Sequence, residues 1–178
     1  MNEKQISTGQ VSTGPFSAGP TPDQTTPMLT PAQLLAHWQG HRRLTRRTIG
    51  AFPDDQLFSF SAAPGMRSFG ALSWEIYGVS SYLLSCLVND TWPHPTWGER
   101  PPRQDALLSA WDDLSARMDA ELPTVTPARY SEENPLFWGI QTAMSAALYA
   151  IDNEIHHRGQ GYVYLRALGL EVPPFWER

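Results

Sequence analysis

Apolar residues recur every three or four positions in four stretches of this chain, which predicts four amphipathic helices. The first helix begins after Thr30, because Thr30 is a suitable N-cap, Pro31 suits the first helical position and Gln33 completes a capping box. Pro53 closes this helix. Almost no stretch has the alternating pattern of a strand. The pattern therefore predicts an all-α fold, a four-helix bundle over residues 30 to about 170.

Three more helices follow, each bounded by residues that cap or break helices. The second starts at Ser68, the third covers about 104–122 and ends at Pro123, and the fourth is under way by Thr142. The fourth helix ends at a glycine- and proline-rich cluster that begins at Gly169.

The connections and the C-terminus carry the remaining apolar residues. Residues 53–66 have room for one short helical turn. Residues 91–102 contain four prolines and two tryptophans, so they form a loop that either plugs one end of the bundle or covers a pocket. The apolar segment 136–139 either packs at the base of the bundle or starts the fourth helix. Phe175 and Trp176 are predicted to fold back onto the bundle.

Residues 1–29 differ in kind from the rest of the chain. Ser, Thr, Gly and Pro make up 16 of the first 30 residues, and large apolar residues are rare among them. Burial of so few apolar groups does not offset a backbone entropy cost of roughly 1–2 kcal/mol per residue. The composition therefore predicts a disordered or loosely packed tail before a single bundle domain at 30–178.

The net charge and the cysteine content limit which binding partners and which cellular location are expected for the protein. A net charge of −5 gives no attraction to phosphate backbones or anionic lipid, so neither nucleic acid nor a membrane is an expected partner. Cys86 is the only cysteine, which excludes an intrachain disulfide and indicates a buried structural thiol. We find neither a signal segment nor an apolar run of about 18 residues. We therefore expect a cytoplasmic protein that acts on a small molecule.

Glu75 is the clearest site candidate on physical grounds. It shares the helical register of Leu72, Val79 and Cys86, where an apolar residue is expected. Glutamate is almost never fully buried unless it is paired, hydrogen-bonded or metal-bound. Glu75 therefore either belongs to a site, or reaches the helix edge or an arginine from another helix.

The last helix combines an apolar stripe with a histidine-bearing face, and at 100° per residue the two fall on opposite sides. An apolar stripe on a bundle helix can pair two copies of a chain, so we expect a homodimer. The alternative is that both faces are covered within one chain. The stripe consists of Leu148, Ile151, Ile155, Tyr162 and Leu165, and the histidine face consists of Asn153, His156, His157, Gln160 and Tyr164.

Other charged residues have structural interpretations. His37 and His41 have the four-residue spacing of two ligands to one metal. Their helix, however, also carries an arginine-rich run that is typical of a solvated face. Arg158 follows Glu154 by four residues, which predicts an intrahelical ion pair. The arginine-rich run consists of Arg42, Arg43, Arg46 and Arg47.

Two motifs carry a resemblance to a known family. Residues 154–160 read Glu-Ile-His-His-Arg-Gly-Gln and are followed by Val-Tyr-Leu-Arg at 163–166, which resembles the last-helix motif of the DinB/YfiT-like superfamily. Residues 67–75 read Arg-Ser-Phe-Gly-Ala-Leu-Ser-Trp-Glu and are similar to the family's second-helix opening. Over residues 30–178 the resemblance implies a small four-helix bundle, whose relatives often hold a metal with three histidines and often pair as dimers.

The resemblance also implies where metal ligands would lie. The family's three positions match Glu75, Asn153 and His157, so a carboxylate and a carboxamide replace two histidines. This set can bind Zn²⁺, Ni²⁺, Fe²⁺ or Mn²⁺ with lower affinity than three histidines. The alternative is an empty polar site in which Glu75 and His157 hydrogen-bond directly. His156 points about 100° away from His157 and is expected to support the site or the helix packing.

Two functions follow from these features. The resemblance implies thiol-dependent transfer in several relatives, which favours a divalent-metal-dependent transferase with a low-molecular-weight thiol as cosubstrate. Trp92 and Trp97 would bound its pocket. No Ser-His-Asp arrangement, phosphate loop or activated cysteine is visible. The replacement of two histidines favours the alternative, a non-catalytic ligand-binding or stress-response bundle.

Overall fold

The structure, a computed structural model, describes residues 29–178, so the predicted tail lies outside the described residues except at its last position. The four long helices predicted from the sequence form a bundle, and the all-α fold is confirmed. A short helix lies in the first connection, as expected. The described α-helices are α1 (Pro31–Gly50), α2 (Asp54–Leu57), α3 (Phe69–Asn89), α4 (Gln104–Glu121) and α5 (Ala143–Ala167), and two short 3-10 helices cover Leu122–Thr124 and Pro127–Ser131.

Local capping explains where the long helices begin. Gln33 N donates to Thr30 Oγ1 at 3.2 Å and Thr30 N donates to Gln33 Oε1 at 2.9 Å, which is the reciprocal capping box. Ser68 and Thr142 likewise accept hydrogen bonds from backbone amides three residues ahead. Each side chain satisfies an amide that would otherwise have no partner in the first turn. The starts predicted at Thr30 and Ser68 are confirmed, and the last helix begins at Ala143, one residue later than expected, because Thr142 is its N-cap.

Each long helix packs against two main neighbours. α1 and α3 lie diagonally across the bundle, and each contacts both α4 and α5. Trp38 of α1 and Trp111 of α4 are fully buried, and Cys86 of α3 is buried as predicted. Burial of large apolar side chains such as these supplies the main driving force for folding.

α3 owes its apolar composition to its place in the core. Among the described helices it alone is long and apolar enough to cross a membrane. Leu72, Ile76 and Leu83 are buried, and the helix packs against α4 and α5. Core helices of bundles have the same composition, so packing accounts for it.

A β-hairpin occupies the connection before α5, where the sequence allowed either packing at the base of the bundle or the start of the fourth helix. Strands β1 (Glu133–Leu136) and β2 (Gly139–Thr142) are antiparallel, with Leu136 opposite Gly139. The segment 136–139 does not start the fourth helix, but Leu136 is buried and Trp138 packs against the core, in agreement with the expectation that the segment packs on the bundle. The turn residues Phe137 and Trp138 lack the Asn-Gly or Asp-Gly signal of a tight hairpin, and the two strands are too short for a visible alternating pattern.

Two expectations about apolar surfaces are wrong. Phe175 and Trp176 are 63% and 69% exposed, so they do not fold back onto the bundle. The apolar stripe of α5 is not one outward face, because Ile151 and Leu165 are buried in the core. Only Leu148 and Ile155 are clearly exposed, and Tyr162 is half-buried. α5 packs on both α1 and α3, so its apolar positions face more than one direction.

Candidate functional site

Three side chains predicted as a ligand set converge in the structure. Glu75 Oε1 of α3 lies 3.1 Å from His157 Nε2 and 3.4 Å from Asn153 Nδ2, both of α5. Asn153 and His157 are one helical turn apart and therefore face the same side of α5. α3 packs directly against α5, which brings Glu75 to them. We call these three residues the Glu75 cluster.

Arg67 balances the charge of the cluster. Arg67 Nη1 donates to Glu75 Oε2 at 2.5 Å, and it comes from the segment before α3 rather than from another helix. Tyr164 of α5 fixes this segment, because its hydroxyl donates to the Arg67 carbonyl at 3.0 Å. Partial burial raises the pKa of Glu75, but the hydrogen bonds from Arg67 and His157 outweigh burial, so the net pKa lies below the ordinary value. The carboxylate is therefore charged at neutral pH.

Gln160 orients His157 towards the carboxylate. His157 Nδ1 lies 2.9 Å from Gln160 Oε1, and because a carboxamide oxygen only accepts hydrogen bonds, Nδ1 carries a proton. In the neutral ring Nε2 then has a lone pair that faces Glu75 Oε1. Two groups with lone pairs at this distance attract each other only through a positive charge between them. That charge is either a proton on Nε2 or a metal ion.

The chemistry of the donors in the Glu75 cluster fits a divalent ion. Asn153 directs Nδ2 at Glu75 Oε1, and its buried Oδ1 has no hydrogen-bond partner in the described structure, so a 180° turn of the carboxamide would offer this oxygen to an ion. Carboxylate oxygen and imidazole nitrogen lie about 2.0–2.2 Å from a bound ion. The 3.1 Å separation of Glu75 Oε1 and His157 Nε2 therefore allows both to bind the same ion. Gln160 holds the tautomer, as partners of metal-binding histidines commonly do.

A metal site with three protein ligands at the Glu75 cluster requires Asn153. Within residues 29–178, no three His, Cys, Asp or Glu side chains converge in a way that could hold a metal. Only the carboxamide of Asn153 brings the number of protein donors at the Glu75 cluster to three. We therefore expect low affinity, because a neutral carboxamide oxygen is a weaker ligand than imidazole for Zn²⁺ or Ni²⁺.

A cavity of about 560 Å³ opens beside Glu75. Its walls come from α3, α5, the hairpin turn and the loop at 90–103. Trp97 of this loop rests on Gly78 of α3, where an added Cβ would lie 2.0 Å from the indole ring. Trp97 therefore bounds the pocket as predicted, whereas Trp92 packs against the bundle core. The loop was expected either to plug one end of the bundle or to cover a pocket. Trp92 fits the first interpretation and Trp97 fits the second.

A smaller cavity of about 270 Å³ lies on the other side of Arg67. His157 and the exposed His156 line it, and their rings meet edge to face with centroids 4.9 Å apart. His156 makes no contact with the acidic oxygens of Glu75. Of the two adjacent histidines only His157 is directed at Glu75, as their 100° offset predicts.

A second polar network, against α1, was only partly visible in the sequence. Glu154 is fully buried, and its Oε1 accepts a hydrogen bond from Thr45 Oγ1 at 2.6 Å. The predicted ion pair is present, with Arg158 Nη1 3.9 Å from Glu154 Oε1. Arg158 Nη1 also donates to Thr45 Oγ1 at 3.0 Å. This network joins α5 to α1.

Arg42 is buried, which corrects its assignment to a solvated face. Its Nε donates to Ser115 Oγ at 2.9 Å and its Nη2 donates to the Trp111 carbonyl at 3.0 Å. The guanidinium lies 4.3 Å from the centroid of the Trp111 ring. Arg42 lies four residues after Trp38 and three before Thr45, so the three share one face of α1. This spacing was the sequence signal that Arg42 is buried. The other three arginines of the run, Arg43, Arg46 and Arg47, are exposed as predicted.

His37 and His41 contact each other without forming a metal-binding pair. Burial lowers the pKa of His41 to about 4, helped by Arg158, His37 and Arg178, so the ring is neutral at pH 7. A guanidinium nitrogen lies beside each ring nitrogen of His41, with Arg158 Nη2 3.1 Å from Nδ1 and Arg178 Nη1 3.0 Å from Nε2. His41 Nε2 also lies 3.2 Å from His37 Nε2. Two cationic groups beside the ring oppose the binding of a metal cation, so the structural interpretation is favoured.

Comparisons with known proteins agree with this architecture. The family model of the DinB family matches residues 24–178, which include both sequence motifs described above. The chain is similar to the crystal structure of a DinB-like protein from Bacillus cereus ATCC 10987, with a TM-score of 0.68 and 20% identity over 82% of this chain and 97% of that one. It is also similar to a DinB-like protein from Bacillus subtilis, with a TM-score of 0.64 and 21% identity over 82% and 99% of the two chains. No curated protein sequence matches it.

Proposed function

Because the chain belongs to the DinB family, we propose that the Glu75 cluster holds a divalent metal ion and that the protein is a metal-dependent transferase acting with a small cellular thiol. The main support is the contact between Glu75 Oε1 and His157 Nε2, two atoms 3.1 Å apart that face each other with lone pairs. Zn²⁺, Ni²⁺, Fe²⁺ and Mn²⁺ are the candidate ions, because the donors are a carboxylate oxygen, a carboxamide oxygen and an imidazole nitrogen.

Residues of this chain have distinct roles in the proposed reaction. Glu75, Asn153 and His157 would hold the ion, which supplies a Lewis acid that favours the thiolate form of a bound thiol. Arg67 holds Glu75 Oε2, so that Oε1 is the oxygen directed at His157. The cavity beside Glu75 gives the thiol and its electrophilic partner a place next to the cluster.

The nucleophilic sulfur must come from the cosubstrate. Cys86 is the only cysteine of the chain, and it is 1% exposed in α3. Burial raises the pKa of its thiol, which opposes the thiolate form. Cys86 does not line the cavity beside Glu75. A covalent enzyme intermediate on cysteine is therefore not part of the proposal.

A second candidate function rests on the Arg67–Glu75 ion pair. Arg67 already neutralises the carboxylate, and a protonated His157 would satisfy the remaining oxygen without any metal. In that case the bundle is a non-catalytic ligand-binding protein that uses the same cavity. In the first candidate the Glu75 cluster binds a metal that takes part in a reaction. In the second candidate it only stabilises the fold.

Thiol conjugation tests the first candidate. We expect the purified, metal-loaded protein to conjugate 1-chloro-2,4-dinitrobenzene to at least one member of a panel of cellular thiols faster than the uncatalysed reaction. In this reaction the sulfur bonds to the ring carbon, chloride leaves and the thiol proton goes to buffer. His157→Ala is expected to lower the rate at least about tenfold, because it removes a ligand. Absorbance of the conjugate measures the rate.

His156→Ala is the matched control for the conjugation test, because it removes an imidazole that contacts the His157 ring edge to face but is not one of the proposed ligands. It is expected to retain the wild-type rate. A rate equal to background for every thiol, in folded protein with bound metal, would contradict the transferase and favour the ligand-binding bundle.

We also propose that the chain forms a homodimer through α5. Leu148, Ile155 and Val163 are 41%, 40% and 55% exposed, and they lie within one face of the helix. Exposed apolar residues on one face favour a symmetric helix–helix contact. Light scattering at micromolar concentration is expected to give twice the chain mass, and Ile155→Glu is expected to shift it to the monomer. A monomer mass for the unaltered chain would contradict the dimer.

A further inference from the structure

Three half-exposed aromatic side chains surround the cavity beside Glu75. Trp97, Phe137 and Tyr149 are 47%, 51% and 44% exposed, and they come from the loop at 90–103, the hairpin turn and α5. Large apolar side chains left exposed around one concave surface mark binding sites in many proteins. The cavity volume of about 560 Å³ also lies in the range of small-molecule sites.

Hydrogen bonds between α3 and the loop at 90–103 hold the Trp97 wall in place. Trp74 Nε1 donates to the Gly98 carbonyl at 3.0 Å, and Tyr82 Oη donates to the Pro93 carbonyl at 2.9 Å. The Trp97 ring packs directly against Gly78, which has no side chain in the way. These contacts fix the loop on α3 on both sides of Trp97, so the wall exists before a ligand binds, which lowers the entropy cost of binding.

Arg100 gives the cavity a net positive charge. The charged residues of its lining are Arg67, Glu75 and Arg100. Arg67 is paired with Glu75, whereas none of the ion pairs found in residues 29–178 involves Arg100. Arg100 lines the cavity, and its guanidinium lies 4.9 Å from the centroid of the Phe58 ring, which is outside the lining.

We propose that this cavity selects small molecules that combine a flat aromatic body with an anionic group, and that Arg100 is the residue that binds the anion. Trp97, Phe137 and Tyr149 would pack against the body, and the guanidinium would donate to the carboxylate or sulfonate. The inference rests on the proposed function only in placing the substrate in this cavity. Binding of the aromatic anion does not require the metal.

Two fluorescent compounds test the charge and the shape separately. 1-Anilinonaphthalene-8-sulfonate is a flat aromatic anion, and N-phenyl-1-naphthylamine has the same rings without the sulfonate. We expect both to bind the protein saturably, with the anion bound more tightly. Arg100→Gln is expected to weaken binding of the anion about tenfold and to leave the neutral compound within about twofold, because only the charge-assisted contact is lost.

Trp97→Ala and Gly78→Ala test the aromatic wall. Trp97→Ala removes the wall and Gly78→Ala displaces it, since the new Cβ would overlap the indole ring. Both variants are expected to weaken both compounds by a similar factor. The midpoint of thermal unfolding shows whether each variant is folded. If Gly78→Ala does not fold, the charge test still holds, because Arg100→Gln changes an exposed residue.

Arg103→Gln is the control for non-specific charge, because Arg103 is exposed, pairs with Asp105 and lies outside the cavity. It is expected to change neither affinity. Equal losses of the anion in Arg100→Gln and Arg103→Gln would overturn the inference, as would unchanged binding of both compounds in Trp97→Ala. His157→Ala is expected to keep anion binding. Loss of metal binding with retained anion binding therefore separates failure of the proposed metal site from failure of this inference.

Discussion

Replacing Arg42 by methionine is expected to lower the free energy of unfolding by about 3–5 kcal/mol at pH 8. Arg42 and Glu154 are both fully buried, at 0% exposure. Burial lowers the pKa of Arg42 to about 10, against the opposing effect of Glu154, so the guanidinium is charged at pH 8. Without it, Glu154 keeps only Arg158 as a counter-charge, 3.9 Å away. Urea unfolding followed by circular dichroism measures the loss.

The loss should depend on pH through Glu154. Burial raises the pKa of this carboxyl, and Arg42, Thr45 and Arg158 oppose the rise. Removing Arg42 raises the folded-state pKa further, while the unfolded value stays near about 4.3. A group with a raised folded pKa contributes its stability below the unfolded pKa and loses it as pH rises through the folded pKa. The difference between wild type and Arg42→Met is therefore expected to be smallest near pH 5 and largest at pH 8.

Two further variants decide whether charge burial is the cause. Arg43→Met changes the exposed neighbour and is expected to alter the free energy of unfolding by less than about 0.5 kcal/mol. Arg42→Met combined with Glu154→Gln removes both buried charges and is expected to recover part of the loss. Equal effects of Arg42→Met and Arg43→Met, or a deficit that does not change with pH, would contradict a buried charge network.

Restoring three histidines is expected to raise metal affinity about 100-fold over the unaltered chain. In Glu75→His with Asn153→His, three imidazoles replace one imidazole, one carboxylate and one carboxamide at positions that already converge. Imidazole is a stronger ligand than a carboxamide oxygen for Zn²⁺ and Ni²⁺. Arg67 loses its partner in this variant, but its side chain is 53% exposed and can be solvated.

Calorimetric titration with Zn²⁺ and Ni²⁺ measures this gain, with competition by a chelator for tight binding. Adding His157→Ala to the two histidine changes is expected to abolish it, whereas adding His156→Ala is expected to leave it intact. If the two new histidines bind metal no more tightly than the unaltered chain, the α3 and α5 positions do not form a metal site. Weak binding by the unaltered chain, lost in His157→Ala, supports the proposed role of the Glu75 cluster.

The helices of this chain were predictable because their signals are local. Thr30, Ser68 and Thr142 cap helices through atoms within three residues, and prolines end helices through their own ring geometry. The membership of the DinB family, predicted from two motifs, is confirmed by the family match. Register alone placed Glu75 on an inward face, whereas its convergence with Asn153 and His157 was implied by the resemblance to the family.

Other features depend on contacts between distant residues, and local patterns do not contain them. Arg42 stands in an arginine-rich run, yet it is buried because Trp111 and Ser115 of α4 supply its acceptors and its packing surface. Glu75 is paired with Arg67, eight residues away, through the path of the chain before α3. Whether a charged side chain is buried depends on the partners that folding brings to it, because desolvation is tolerated only where such partners exist.

The cavity beside Glu75 also depends partly on local pattern and partly on packing. The prolines at 91–102 exclude a helix there by local geometry alone. The place of Trp97 on Gly78, and of Phe137 and Tyr149 around the same cavity, requires α3, the hairpin and α5 to be packed together. Periodicity and capping act over one or two helical turns, whereas a cavity is formed by side chains far apart in sequence, and so only their packing in three dimensions defines it.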